Sequence, residues 1–125
     1  MILADTSVWI DYFRADHPDM RMFLDNEQIL AHPFVVAELA LGSLHDRHKT
    51  LAELDRLPQV QVAQLLEVRH LIEAHSLYSR GIGFTDAHLI ASCLMTRDVQ
   101  LWTRDSRLAS VARELGVVAI VPTIN

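Results

Sequence analysis

Four carboxylates stand where an open α/β sheet would bring chemistry together: Asp5 after a first strand, Glu38 in the helix after the second, Asp86 opening a later helix, and Asp105 after a fourth strand. Segments that leave the ends of parallel strands meet at one edge of the sheet, and ligands bind there where the strand order reverses. Acids far apart in sequence therefore converge. Two unit charges about 4 Å apart repel by about 4 kcal/mol at an effective dielectric of about 20, so clustered carboxylates must take up protons or bind a cation. A hard divalent ion is the expected answer at neutral pH. Taken singly, three of the acids also have structural explanations: Asp5 and Asp105 as helix caps, Asp86 as a first-turn acid favoured by the helix dipole. Glu38 differs, because it is the only charge in a helix otherwise made of residues such as Phe34, Val35, Val36, Leu39 and Leu41. That setting asks for a partner or a function.

The elements that would position these acids follow from the pattern of apolar residues. Ile2 to Ala4 is a short apolar run that stops at Asp5-Thr6-Ser7, and Val8, Trp9, Tyr12 and Phe13 then recur at helical spacing. A short helix is expected over Asp19 to Leu24 and a second strand over Gln28 to Ala31, after which His32-Pro33 opens a helix, proline being preorganised for a first turn. Asp46 to Leu57 reads as a charged amphipathic helix ended by Pro58, and Val60 and Val62 alternate with glutamines as a third strand at the edge. Leu66 to Arg80 reads as a longer helix broken by Gly81-Ile82-Gly83-Phe84, and Thr85 as the cap of a buried helix from Asp86 to about Thr96. Val99 to Thr103, Ser106 to Leu115 and Val117 to Val121 complete a fourth strand, a helix closed by Gly116 and a fifth strand, followed by Pro122 to Asn125. This alternation predicts an α/β fold, a parallel sheet of about five strands with helices on both faces.

Composition narrows the function. A chain of 125 residues, half of them hydrophobic, is expected to form one domain over residues 1–125 around a single core. Its net charge of −5 excludes a general DNA-coating protein, so any contact with nucleic acid must be local. Ten of the eleven bases are Arg, whose planar fork suits carboxylates and phosphates. Cys93 is the sole cysteine, which rules out an internal disulfide, and its apolar helical surroundings predict a buried, inert thiol. The first residues lack the pattern of a signal peptide and no stretch approaches the length of a membrane span, so a cytoplasmic protein is expected.

Asp5-Thr6-Ser7, Glu38-Leu39, Asp86-Ala87-His88-Leu89-Ile90-Ala91 and Leu101-Trp102-Thr103-Arg104-Asp105, in this order and placement, resemble the PIN-domain ribonucleases. The short length and the Gly81-Ile82-Gly83 approach to Asp86 are most similar to the VapC toxins of bacterial and archaeal toxin–antitoxin pairs. The resemblance implies a three-layer α/β/α domain with strand order 3-2-1-4-5. It implies that Asp5, Glu38, Asp86 and Asp105 hold Mg²⁺ or Mn²⁺ and that the enzyme hydrolyses phosphodiester bonds of RNA, such as tRNA or rRNA. It further implies a homodimer and a small VapB-like antitoxin that occludes the acidic site in a hetero-oligomer. An oxygen-only site suits either metal. By the same resemblance Thr6 and Thr103 are hydroxyls that orient Asp5 and Asp105, their other reading being capping and turn formation. Many relatives carry a further acid two positions beyond the one matched by Asp105; here Arg107 stands there, removing a donor that a second metal would use. Arg104 and Arg107 flank the site and are placed to meet RNA phosphate.

Other readings fit parts of the pattern. A receiver domain shares the size, fold class and strand-end acids, but here Gln61, Ala63 and Gln64 fill the third strand and no lysine follows the fifth. A noncatalytic binding module would keep the fold without needing all four acids. His45 and His48 share a helical spacing that suits zinc, yet no further ligand completes a tetrahedral set, and His17, His70 and His75 have no ligand spacing. Trp9, Tyr12 and Phe13 read as core or dimer contact rather than a base-stacking platform.

Overall fold

Three consecutive apolar residues, Ile2–Ala4, form β1 and are buried throughout, the mark of a strand covered on both faces. In this computed structural model, which describes residues 1–121, β1 is the centre of a parallel sheet; Pro122 to Asn125 lie outside the described residues. Ile2 and Leu3 pair with Ile29 and Leu30 of β2 (Ile29–Leu30) on one side. On the other, Ile2 to Ala4 pair with Gln100 to Trp102 of β3 (Gln100–Trp102). The expected third and fifth strands shrink to single parallel bridges, Ala31 with Gln59 and Leu101 with Val118. Their backbone bonds are few but well formed: Val60 N–H to the Ala31 carbonyl at 3.0 Å, and Ala119 N–H to the Leu101 carbonyl at 2.8 Å. Including these bridges, the order across the sheet is the expected one.

Helices α1 (Thr6–Ala15) and α2 (Pro18–Asp25) join β1 to β2. From β2 the chain runs through α3 (Pro33–Ala40) and α4 (Arg47–Arg56) to the Gln59 bridge, then through α5 (Leu65–Ala74) and α6 (Phe84–Met95) to β3. Finally α7 (Ser106–Glu114) leads to the Val118 bridge. The first two connections step outward in one direction and the last two in the other. Right-handed crossovers then put α1 to α4 on one face and α5 to α7 on the opposite face. Packing of α1 on α3, α3 on α4 and α5 on α6 agrees with those two layers. The main core lies between them, with Leu3, Met20, Leu89, Ile90, Leu101 and Leu108 fully enclosed.

Two helix boundaries differ from expectation. The helix expected to reach Arg80 ends at Ala74. Ser76 turns left-handed (φ 52), the Leu77 N–H bonds the Ile72 carbonyl at 2.9 Å, and Leu77 is buried in the core. These are the bonds and the apolar contact of a Schellman ending, with serine where glycine is usual. The next helix begins at Phe84 rather than Asp86, so Thr85 lies inside its first turn and is not its cap. Asp86, three residues beyond the boundary residue Gly83, reaches back to the Gly83 N–H at 3.0 Å. Among the described residues no helix is long and apolar enough to cross a membrane.

Candidate metal centre

The parallel strands all end at one edge, and each delivers an acid there. Asp5 follows β1 and caps α1, its Oδ1 accepting the Val8 N–H at 3.2 Å. Asp105 follows β3 and caps α7, its Oδ1 accepting the N–H groups of Arg107 at 2.8 Å and Leu108 at 3.3 Å. Glu38 lies in the second turn of α3, after β2. Because α6 precedes β3 and runs against the strands, its first turn brings Asp86 to the same edge. Capping and convergence are thus compatible: the cap fixes the carboxylate at the mouth of the sheet.

Asp5 is the most enclosed of the four, at 6% exposure. Ser7 donates its hydroxyl to Asp5 Oδ1 and Thr103 to Asp5 Oδ2. Those hydroxyls are held in turn, Ser7 Oγ by the Arg104 N–H and Thr103 Oγ1 by the Asp105 N–H, each at 3.0 Å. Burial raises the Asp5 carboxyl above its ordinary value, and the Ser7 and Thr103 hydroxyls work against that rise. Asp86 is half-buried and is also raised, chiefly by desolvation, with the charges of Asp5, Asp105 and Glu38 adding to it. That the three other acids add to the rise agrees with their lying toward the same edge as Asp86. Contact is another matter: among the described residues no group of three or more His, Cys, Asp or Glu closes to metal-ligating distance.

The donor set nonetheless fits a hard cation. Asp86 and Asp105 each use one carboxylate oxygen on backbone N–H groups, leaving Asp86 Oδ1 and Asp105 Oδ2 without a donor among the described residues. Glu38 uses Oε1 to accept the Thr6 hydroxyl at 2.7 Å and keeps Oε2. Three oxygens are therefore available beside the doubly held Asp5, with no nitrogen or sulfur ligand among them. Glu38 is not sunk among apolar neighbours as its helix suggested; it lies on the exposed side of α3 and lines a groove of about 540 Å³ with Ile10, Phe13 and Leu39.

The hydroxyls are distributed differently from expectation. Thr6 does not touch Asp5; its partner is Glu38, because the first turn of α1 packs on α3. In its place Ser7 donates to Asp5 Oδ1, alongside the Thr103 hydroxyl on Oδ2. Thr103 touches both expected acids, through the Asp5 carboxylate and the Asp105 amide. Arg104 is drawn into an ion pair with Asp11 at 3.0 Å. Arg107 has no ion-pair partner among the described residues and lies across Gly81, where a Cβ would stand 2.7 Å from its Cδ. Gly81 has φ +79, so backbone and space both favour glycine there.

The other candidates find structural places. His45 is almost fully exposed beside Asp46, and no zinc set surrounds it among the described residues. Cys93 is buried, and burial pushes its thiol up to about 12. Trp9 is core, whereas Phe13 reaches the groove beside Glu38. His32, expected with Pro33 to open α3, is fully buried and caps it by accepting the Phe34 N–H on Nδ1 at 3.0 Å. Burial and the nearby His88 push it down to about 4, which keeps the ring neutral and able to accept.

Comparison with known proteins agrees with this architecture. The sequence profile of the PIN domain matches residues 2–114. Ribonuclease VapC32 of Mycobacterium tuberculosis, in each of two strains, is 41% identical over 117 residues, spanning 94% of this chain and 94% of the relative. Neither a match over most of the chain nor identity at that level arises from shared topology alone, and the three-layer α/β/α architecture is that of the PIN domain. The chain belongs to the PIN-domain family, on its VapC branch.

Proposed function

We propose that this chain is the toxin of a toxin–antitoxin pair, a ribonuclease that hydrolyses RNA phosphodiester bonds at the edge formed by Asp5, Glu38, Asp86 and Asp105. The observation that supports the reading most is geometric: Asp5 and Asp105 cap the helices that follow β1 and β3, Glu38 lies in the helix after β2, and Asp86 stands in the first turn of the helix that runs against the strands. The relative's name, Ribonuclease VapC32, supplies the activity. Mg²⁺ or Mn²⁺ is the proposed cofactor, held by those four carboxylates; when bound, such an ion polarises the phosphate and makes a water more acidic.

The chain's own residues prepare that chemistry. Asp5 is locked by Ser7, Thr103 and the Val8 amide, so it presents a fixed anion with no rotamer left to lose. Thr6 holds Glu38 through Oε1, which leaves Oε2 for a cation, and the Gly83 amide does the same for Asp86 through Oδ2. Thr103 ties the β1 and β3 ends together, so that Asp5 and Asp105 keep their spacing when substrate arrives. Arg107, which has no ion-pair partner among the described residues, is a cation suited to an RNA phosphate, while Arg104 braces α1 through Asp11. Water attacks the phosphate, so the products carry a 5′-phosphate and a 3′-hydroxyl.

Control comes from a VapB-like antitoxin. The groove beside Glu38 has apolar walls in Ile10, Phe13 and Leu39, suited to an apolar segment whose basic side chain neutralises Glu38. We further propose one catalytic domain over residues 1–125, acting in the cytoplasm as a homodimer. The exposed Leu66 and Leu94 beside the α5–α6 groove offer the face for self-association. Pulsed expression followed by sequencing of RNA ends tests the reading: new 5′-phosphate ends should accumulate at discrete positions in tRNA or rRNA. Ends bearing 2′,3′-cyclic phosphate, or none, would count against it.

A further inference from the structure

From Ala87 to Cys93 every residue of α6 is buried, yet its first residue, Phe84, is 56% exposed. Phe84 is not loose. Its ring stacks on Phe34 with centroids 6.1 Å apart and planes 26° apart. His88, one turn further along α6, stands edge-on to both rings, 4.7 Å from Phe84 and 4.6 Å from Phe34. The fully buried His32 backs Phe34 from behind at 5.0 Å. Three rings thus form a wall, and the fourth shows half its surface to water.

The position of this stack matters as much as its packing. Phe34 lies four residues before Glu38, on the same face of α3 and about 6 Å along its axis. Phe84 lies two residues before Asp86, beside the Gly83 amide that the Asp86 carboxylate holds. Since α3 and α6 belong to opposite layers, the Phe34–Phe84 pair spans the strand-end edge between the helices that carry two of the acids. An acidic site in a protein of net charge −5 gains little from long-range attraction to RNA. Binding must then draw on contacts that do not depend on charge, and a flat aromatic face supplies them to any unpaired base.

Resting on the ribonuclease reading above, we propose that Phe84, held by Phe34 and His88, is the stacking platform for a nucleobase next to the scissile phosphate, so that the enzyme cleaves beside an unpaired, splayed-out base. Phe84 is a binding residue here, distinct from the carboxylates. The test uses the metal-loaded full chain and a short single-stranded RNA that spans one intact cleavage site, located from the ends of its products, with each base flanking the scissile bond removed in turn to leave an abasic ribose. For the wild type, one abasic position should raise KM by about 10-fold, the scale of one base–aromatic stack, with kcat changed much less. Phe84→Ala should raise KM similarly on the intact RNA and no longer respond to that abasic position. Phe84→Trp should restore the response, and Phe84→Leu, apolar but without a π face, should not. Melting temperatures of all three variants should stay close to wild type. Wild-type cleavage indifferent to every abasic position, or a Phe84→Ala protein that responds as the wild type does, overturns the platform while leaving the ribonuclease reading intact. So would variants that change only self-association or capture by a partner protein. A metal-loaded protein that cleaves no RNA overturns both.

Discussion

Thr103→Val keeps the shape of one side chain and deletes a single hydroxyl that two parts of the site share. That hydroxyl donates to Asp5 Oδ2 and accepts the Asp105 N–H at 3.0 Å. Asp105 is exposed, so water replaces its lost partner at little cost. Asp5 is enclosed, and a hydrogen bond to an ionised group contributes about 1.5–3 kcal/mol. We expect a loss of about 2 kcal/mol at pH 8, which for a domain of this length lowers the melting temperature by about 8 °C. The dependence on pH carries a definite sign. Burial holds the Asp5 carboxyl above its ordinary 3.8, and Thr103 opposes that rise by favouring the ionised form. A carboxyl whose folded pKa exceeds its unfolded one binds more protons when folded, so stability falls as pH rises between the two values. Removing the hydroxyl widens that interval. Variant and wild type should therefore differ least at acid pH, below the ordinary carboxyl value, and most at pH 8. Thermal denaturation of metal-free protein followed by circular dichroism reads this directly, with Thr103→Ser as the control that retains the donor. Equal melting of variant and wild type at pH 8, or a gap that widens towards acid, would refute the reasoning.

Asp86→Asn keeps an acceptor for the Gly83 N–H and removes a charge that three other acids repel, so metal-free protein should be stabilised while cleavage is lost. Because Asp86 is partly solvated the gain should be only about 1 kcal/mol; it should vanish below the ordinary carboxyl value of 3.8 and grow as pH rises through the raised one, which melting curves across that range would show. Cys93, with its thiol pushed up to about 12, should resist a thiol reagent at pH 8 in native protein and react at once in denaturant. Rapid native labelling would mean that α6 opens readily.

Much of this architecture was legible because its signals are local. Asp5 and Asp105 announce themselves as caps directly after apolar runs, and a cap after a parallel strand is already at the site edge. The end of α5 was not legible, since Ser76 adopts the left-handed turn for which only glycine gives a clear signal. The outer strands were overestimated: Val60 and Val62 alternate properly, but among the described residues the ladder beside β2 does not extend past the Gln59 bridge. Thr6 and Ser7 are neighbours with the same chemistry, and which of them faces Asp5 depends on how α1 packs against α3. The Phe34–Phe84 pair joins residues fifty positions apart in opposite layers, and no periodicity in one sequence relates them.

The central claim is that four carboxylates form one metal-dependent catalytic site. Mn²⁺ affinity by calorimetry and RNA cleavage should be measured on the same preparations of wild type, Asp5→Asn, Glu38→Gln, Asp86→Asn and Asp105→Asn. We predict that chelator abolishes wild-type cleavage, that Mg²⁺ or Mn²⁺ restores it, and that each amide variant folds, binds the ion more weakly and loses most activity. Cleavage that survives exhaustive chelation, or amide variants that keep full activity at unchanged metal affinity, would contradict the account.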